Sequence, residues 1–177
     1  YGRFIAEPFE KGYGLTIGNS LRRVLLSSIE GAAITAIKIE GVPHEFATID
    51  GVVEDVARII LNLKKLRFRY DSDIPKVIHV VKEEEGTLTG EDFNIDADAE
   101  VMNQDLVIAT ITDGGKIDME VQIERGRGYV PAELNKSSAE SIGVIPIDAI
   151  FSPVRKVNVK VRSEERRVGK ECATGCR

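Results

Sequence analysis

The residues with the means to do chemistry are few and scattered. Gly12, Gly14 and Gly18 crowd the start of an apolar periodic stretch, where backbone N–H groups at a helix N-terminus could cradle a phosphate. The spacing matches neither a dinucleotide fingerprint nor a P-loop, and no Walker lysine follows. A tight turn with close helix packing accounts for these glycines better. The segment RGRGYVP, Arg125–Pro131, sets two arginines on flexible backbone. Isolated from any larger basic field, they suit an acidic protein surface more than nucleic-acid phosphate. Asp96, Asp98 and Glu100 would face one way on a strand. A calcium loop wants Gly at the position of Val101 and a bidentate Glu beyond it, so a solvated strand face is the simpler account. His44 and His79 are the only histidines, and neither sits in a zinc-protease or Ser/His/Asp context. Cys172 and Cys176 lie at the extreme end with no histidine near them. That argues against zinc and against a disulfide framework. No catalytic constellation can be assembled from these groups.

The composition frames the same conclusion. The chain has 177 residues, 42% hydrophobic and 30% charged, with a formal net charge of −5. This is the balance of a globular protein able to bury a real core. The acidic excess argues against binding nucleic acid by bulk charge. No apolar run approaches ~18 residues, so a membrane-spanning helix is not expected. The chain opens on Tyr1 in mid-pattern and is expected to be a fragment. Regular alternation also stops at Val161. The string RSEERRVGKEC that follows has no apolar period and reads like a translated sequencing adapter, so residues 162–177 are expected to be a non-native tail. Without them the body carries 19 basic and 26 acidic residues, a net of −7.

Two helices must position whatever site exists. The first is expected over Gly12–Ser28, with Thr16 as its N-cap, Gly31 as its stop, and Leu21, Val24, Leu25 and Ser28 at helical spacing. Its small residues Gly18, Ser20 and Ser27 would let another backbone come close. The second is expected over Asp50–Leu66, capped by Asp50, with Glu54 and Asp55 in its first turn and Lys64 and Lys65 in its last. Its apolar stripe is Val52, Val53, Val56, Ile59, Ile60 and Leu63. The remainder reads as strands. Ile37 and Ile39 alternate with charges, as do Leu66, Phe68 and Tyr70. Val77–Val81 is a short apolar run, and Ile117–Glu124 alternates strictly. Gly114-Gly115 predicts a hairpin pairing Leu106–Thr112 with Ile117–Glu124. Glu133–Gly143 is expected to be a surface loop. The fold class is therefore α+β.

Four long stretches in order carry a resemblance. EPFEKGYGLTIGNSLRRVLLSSIEGAAIT (Glu7–Thr35), EGVPHEFATIDGVVEDVARIILNLKKL (Glu40–Leu66), RGRGYVPA (Arg125–Ala132) and FSPVRKVNV (Phe151–Val159) resemble the N-terminal domain of the bacterial RNA polymerase α subunit. The resemblance spans about Tyr1 to Val161. It implies a dimerisation subdomain, here residues 1–31 and 153–161 and incomplete, interrupted by a larger strand-rich insert over residues 32–152. It implies a homodimer that recruits the β and β′ subunits of a DNA-dependent RNA polymerase. The nucleotidyltransferase chemistry and its magnesium would belong to β′, with no cofactor, metal or catalytic residue on this chain. DNA would be met only through the whole complex and no membrane would be involved. The setting would be the cytoplasm at the nucleoid, or a plastid.

Residue by residue, the resemblance gives Leu21, Val24, Leu25 and Ser28 to dimerisation. It gives Arg22, Arg23, His44, Glu45, Phe46, Arg125, Arg127 and Arg155 to β or β′ assembly, with Arg22 reaching β. The family's N-terminal arm, second dimerisation helix and C-terminal DNA-contacting domain find no counterpart here, so residues 1–161 alone are expected to dimerise weakly. The competing reading is a small phosphate- or metal-using enzyme with Gly12–Gly18 and Asp96–Glu100 as its site.

Overall fold

A computed structural model describes residues 1–93, 99–135 and 143–162. Helix α1 (Tyr13–Ser27) leads into the long strand β1 (Glu30–Ile39). After a loop come helix α2 (Val56–Leu63) and strands β2 (Phe68–Tyr70), β3 (Lys76–Lys82) and β4 (Gly86–Thr89), the last running into a 3-10 turn at Gly90–Asp92. Strands β5 (Ala99–Val101), β6 (Val107–Ile111), β7 (Ile117–Arg127) and β8 (Tyr129–Val130), the short helix α3 (Ala132–Asn135), then β9 (Val144–Pro146) and β10 (Ala149–Ile150) complete the order. The main sheet is antiparallel in the order β3-β7-β1-β2-β5, with β9 also on β1. Two-stranded sheets pair β4 with β6 and β8 with β10. The chain is thus α+β.

Strand β7 shows how local pattern becomes packing. Ile117, Met119, Val121 and Ile123 are each fully buried, while Asp118, Glu120, Gln122 and Glu124 stay partly wet. Period-2 alternation sends one set inward and leaves the other in solvent. The run in β3 obeys the same rule: Ile78 and Val80 are buried, Val77 and Val81 exposed. Val56, Ile59, Ile60 and Leu63 of α2 join the same core cluster as the sheet residues. Burying each such aliphatic side chain contributes about 2 kcal/mol.

Strand β1 breaks the alternation, and its register says why. Ile34 pairs with Ile123 and Ala36 with Gln122, so Thr35 is an extra residue opposite no partner, a β-bulge. Ile34, Thr35, Ala36 and Ile37 are consequently all buried. The Thr35 backbone carbonyl accepts from Ile147 N at 2.8 Å, but its hydroxyl has no hydrogen-bond partner among the described residues. A buried unpaired hydroxyl costs stability, and an apolar group of the same shape does not. Thr35→Val is therefore expected to stabilise the chain by about 1 kcal/mol and raise Tm by about 2–4 °C for a chain of this size. A lower Tm in a thermal melt would show that the hydroxyl has a partner.

Several sequence expectations are corrected. Leu106–Thr112 does not form a hairpin with Ile117–Glu124: β6 pairs with β4, and β7 lies between β1 and β3. The Gly114-Gly115 turn is real, with Gly115 N donating to Thr112 O at 2.9 Å, but it carries the chain between sheets. The second helix starts at Val56, with Asp55 as its N-cap accepting from Arg58 N at 2.8 Å, so Asp50 caps nothing. Residues 51–54 are instead tied to β6. Val52 bridges Ile111, Val53 N donates to Thr110 O, and the Glu54 carboxylate accepts from Thr110 N and Oγ1. Val53 is accordingly exposed rather than part of the apolar stripe. The first helix begins after Gly12, whose φ is 94°, so Thr16 is no cap, and Gly31 lies inside β1. The expected loop at Glu133–Gly143 starts with the last residues of α3. Residues 136–142 lie outside the described residues.

Candidate functional site

Helix α1 is 15 residues long and has no buried residue. Its serines turn inward on their own backbone, Ser20 Oγ donating to Thr16 O and Ser27 Oγ to Arg23 O. That satisfies hydroxyls that would otherwise compete with the helix. Gly14 and Gly18 lie one turn apart, on one face. A Cβ built on Gly14 would stand 3.3 Å from Val161 Cγ1, and one on Gly18 only 2.4 Å from Val159 Cγ1. The small-residue face is thus taken by valines of the same chain, and the glycines hold a hydrocarbon contact where a phosphate cradle would need open N–H groups.

The apolar residues left over face water. Leu21 and Val24 are 54% and 53% exposed, Leu25 is half-buried and Ser28 exposed. Tyr13, Leu15, Phe4, Ile5 and Phe9 are exposed as well. Arg22 and Arg23 are exposed on the same helix, and neither side chain has an ion pair among the described residues.

The loop after β1 places His44, Glu45 and Phe46 on the surface, with Phe46 79% exposed. It is held by Ala47, whose N donates to His44 O while its carbonyl accepts from Val56 N at 3.2 Å, tying the loop to the start of α2. Arg155 is exposed in the extended stretch after β10.

Arg125 and Arg127 do not stand open as the sequence suggests. Both donate to Glu30, Arg127 through Nε at 2.8 Å and through Nη2, Arg125 through Nη2. Arg125 also reaches the Asp71 carbonyl at 3.2 Å and the Asp73 carboxylate at 3.4 Å. The hydrogen bond from Arg127, then the charges of Arg125 and Arg127, hold the Glu30 carboxyl below the usual carboxylate range. Much of this pair's charge is therefore answered inside the chain, although Arg127 keeps a 66% exposed side chain. Glu30 escaped the sequence reading because it lies 97 residues before Arg127 and faces it only through the β1–β7 register.

The competing enzyme reading finds no support among the described residues. Among the described residues, no group of three or more His, Cys, Asp and Glu could hold a metal. Glu100 is exposed on β5, while Asp96, Asp98, Cys172 and Cys176 lie outside the described residues. His79 Nε2 meets Asp118 Oδ1 at 2.7 Å on an exposed strand face, with Lys116 Nζ 4.0 Å from the other carboxylate oxygen. His44 stands far from it in sequence, on the surface loop already described.

Residues 37–152 match the family described as RNA polymerase Rpb3/RpoA insert domain. The chain is 56% identical over 169 residues to the DNA-directed RNA polymerase subunit alpha of Symbiobacterium thermophilum, covering 96% of this chain and 53% of that protein. The subunits of Carboxydothermus hydrogenoformans and Moorella thermoacetica are 56% and 54% identical with the same coverage. These alignments run past Val161 into the stretch read as a tail. The chain spans about half the length of the curated relatives it matches. The chain belongs to the bacterial RNA polymerase α-subunit family, and residues 37–152 are its Rpb3/RpoA insert domain.

Proposed function

We propose that this chain is an assembly subunit of DNA-directed RNA polymerase, pairing with a second copy of itself and scaffolding β and β′ without contributing a catalytic group or cofactor of its own. The observation that carries the proposal is α1: an apolar helix whose small face is filled by Val159 and Val161 while Leu21 and Val24 are left in water. A contiguous exposed apolar patch marks a surface suited to a partner. A two-fold axis would bring the same face of a second copy against it. The dimerisation unit would comprise residues 1–31 and 153–161, and the insert residues 32–152.

Arg22, Arg23, His44, Glu45, Phe46, Arg127 and Arg155 offer exposed groups for β and β′, with Arg125 bracing Arg127 through their shared Glu30. DNA and magnesium would be engaged by the complex and its β′ subunit. No helix among the described residues is long and apolar enough to cross a membrane, in keeping with work at the nucleoid or in a plastid.

Arg22 gives the test. Its stem can lie along Leu21 and Leu25 and present a planar fork to a carboxylate across an interface. In the full-length subunit, Arg22→Ala is expected to dimerise and melt as the parent does, yet lose about 2 kcal/mol or more of β binding. Arg22→Lys should recover part of that loss. Co-purification of β with the Ala variant at the parent level would remove Arg22 from the interface.

A further inference from the structure

No residue of helix α1 is fully buried, so its direction depends strongly on the places where the chain passes between helix and sheet. There are two such passages, residues 28–30 into β1 and residues 151–153 out of β10, and they meet at one point. A Cβ built on Gly31 would stand 2.1 Å from the Phe151 carbonyl oxygen and 3.7 Å from Pro153 Cδ. Gly31 pairs across the ladder with Gly126, and the Phe151 ring lies on that glycine, its Cδ2 and Cε2 each 2.8 Å from where a Cβ would be. Phe151 N and Ser152 N both donate to Gly128 O, at 2.9 and 3.3 Å. Gly128 in turn sits under the end of α1, its Cβ position 3.5 Å from Ser27 O. The ring is 5% exposed although it belongs to the last residue before the extended stretch.

We infer that Phe151 is a positioning residue: by packing on Gly126, it pins the outgoing passage to the incoming one and sets the direction of α1 against the sheet. Glycine on both strands leaves a notch, and the aromatic ring of the residue just after β10 fills it, much as aromatic residues support glycines in sheets. Beyond the notch, Val159 and Val161 grip Gly18 and Gly14. Helix and extended stretch therefore move together, and the notch is the pivot they share. Hinge motion is absorbed at a few residues at element ends, and here those residues are clamped by one side chain. This inference stands on the chain's own geometry and not on the assembly reading.

The test is a distance measurement within one chain, needing no partner. Cys172→Ser and Cys176→Ser clear the chain's existing thiols, and Asn19→Cys on α1 with Glu84→Cys beyond β3 carry spin labels, diluted into excess unlabelled protein so that only pairs within one chain are read. The parent is expected to give one narrow distance distribution. Phe151→Ala should broaden it about twofold, and Phe151→Leu less, while amide-exchange protection across Met119–Ile123 of β7 is kept. Gly126→Ala, which retains the ring but lifts it, should shift the mean distance. An unchanged distribution in Phe151→Ala, or β7 protection lost along with it, would overturn the inference, the second because the ring would then be an ordinary core residue. Failure of Gly126→Ala to move the mean would do the same.

Discussion

Gly115→Ala is expected to destabilise the chain by about 3 kcal/mol, and Gly114→Ala by only about 1 kcal/mol, although the two glycines are neighbours in one turn. The difference lies in what each faces. A Cβ on Gly115 would stand 2.2 Å from the Gly51 carbonyl oxygen and 2.8 Å from its carbon. That is backbone, which cannot rotate out of the way as a side chain can. Gly51 is itself held at φ 77° and accepts both Thr112 N and Thr112 Oγ1 through the same carbonyl, at 2.8 and 2.9 Å. Any retreat of that oxygen therefore breaks hydrogen bonds joining the entry of α2 to the end of β6. Gly114 has φ 79° but nothing within 4 Å of its Cβ position, so Ala there bears only the left-handed backbone cost. Urea unfolding of both variants reads the contrast. Equal midpoints would mean that the Gly51–Gly115 contact yields at no cost.

A comparable loss is expected inside α2. Leu63 is 1% exposed in the shared core and Leu61 is 55% exposed, two residues apart on one helix. Leu63→Ala removes buried methyl groups and leaves a cavity that close-packed neighbours fill only partly, a cost of about 3 kcal/mol. Leu61→Ala should change stability by less than about 0.5 kcal/mol. Two melts on one instrument decide the matter, and a Leu61 variant as unstable as the Leu63 variant would mean that this face of α2 is covered in solution.

These pairs mark where sequence reading succeeds and where it stops. The alternation of β7 and the stripe of α2 from Val56 to Leu63 were legible because periods of 2 and 3.6 are local properties of the chain. The exposed apolar residues of α1 were legible as a helix for the same reason. The four motifs identified the family because long ordered strings carry far more information than any spacing rule.

Pairing was not legible. Gly114-Gly115 signals a turn, but a turn does not say which strand the chain will meet next, and β6 found β4 while β7 went between β1 and β3. The helix boundary at Asp55 was invisible because the first apolar residues continue the helical pattern, and only the bonds of Val53 and Glu54 to Thr110 remove them from the helix. The bulge at Thr35, the Glu30 clasp on Arg125 and Arg127, and the meeting of Gly31, Gly126 and Phe151 have one cause. Each joins residues that register alone brings together, across separations that no local period encodes. Tertiary structure decided those contacts, because they exist only once antiparallel strands have chosen their partners and fixed their stagger.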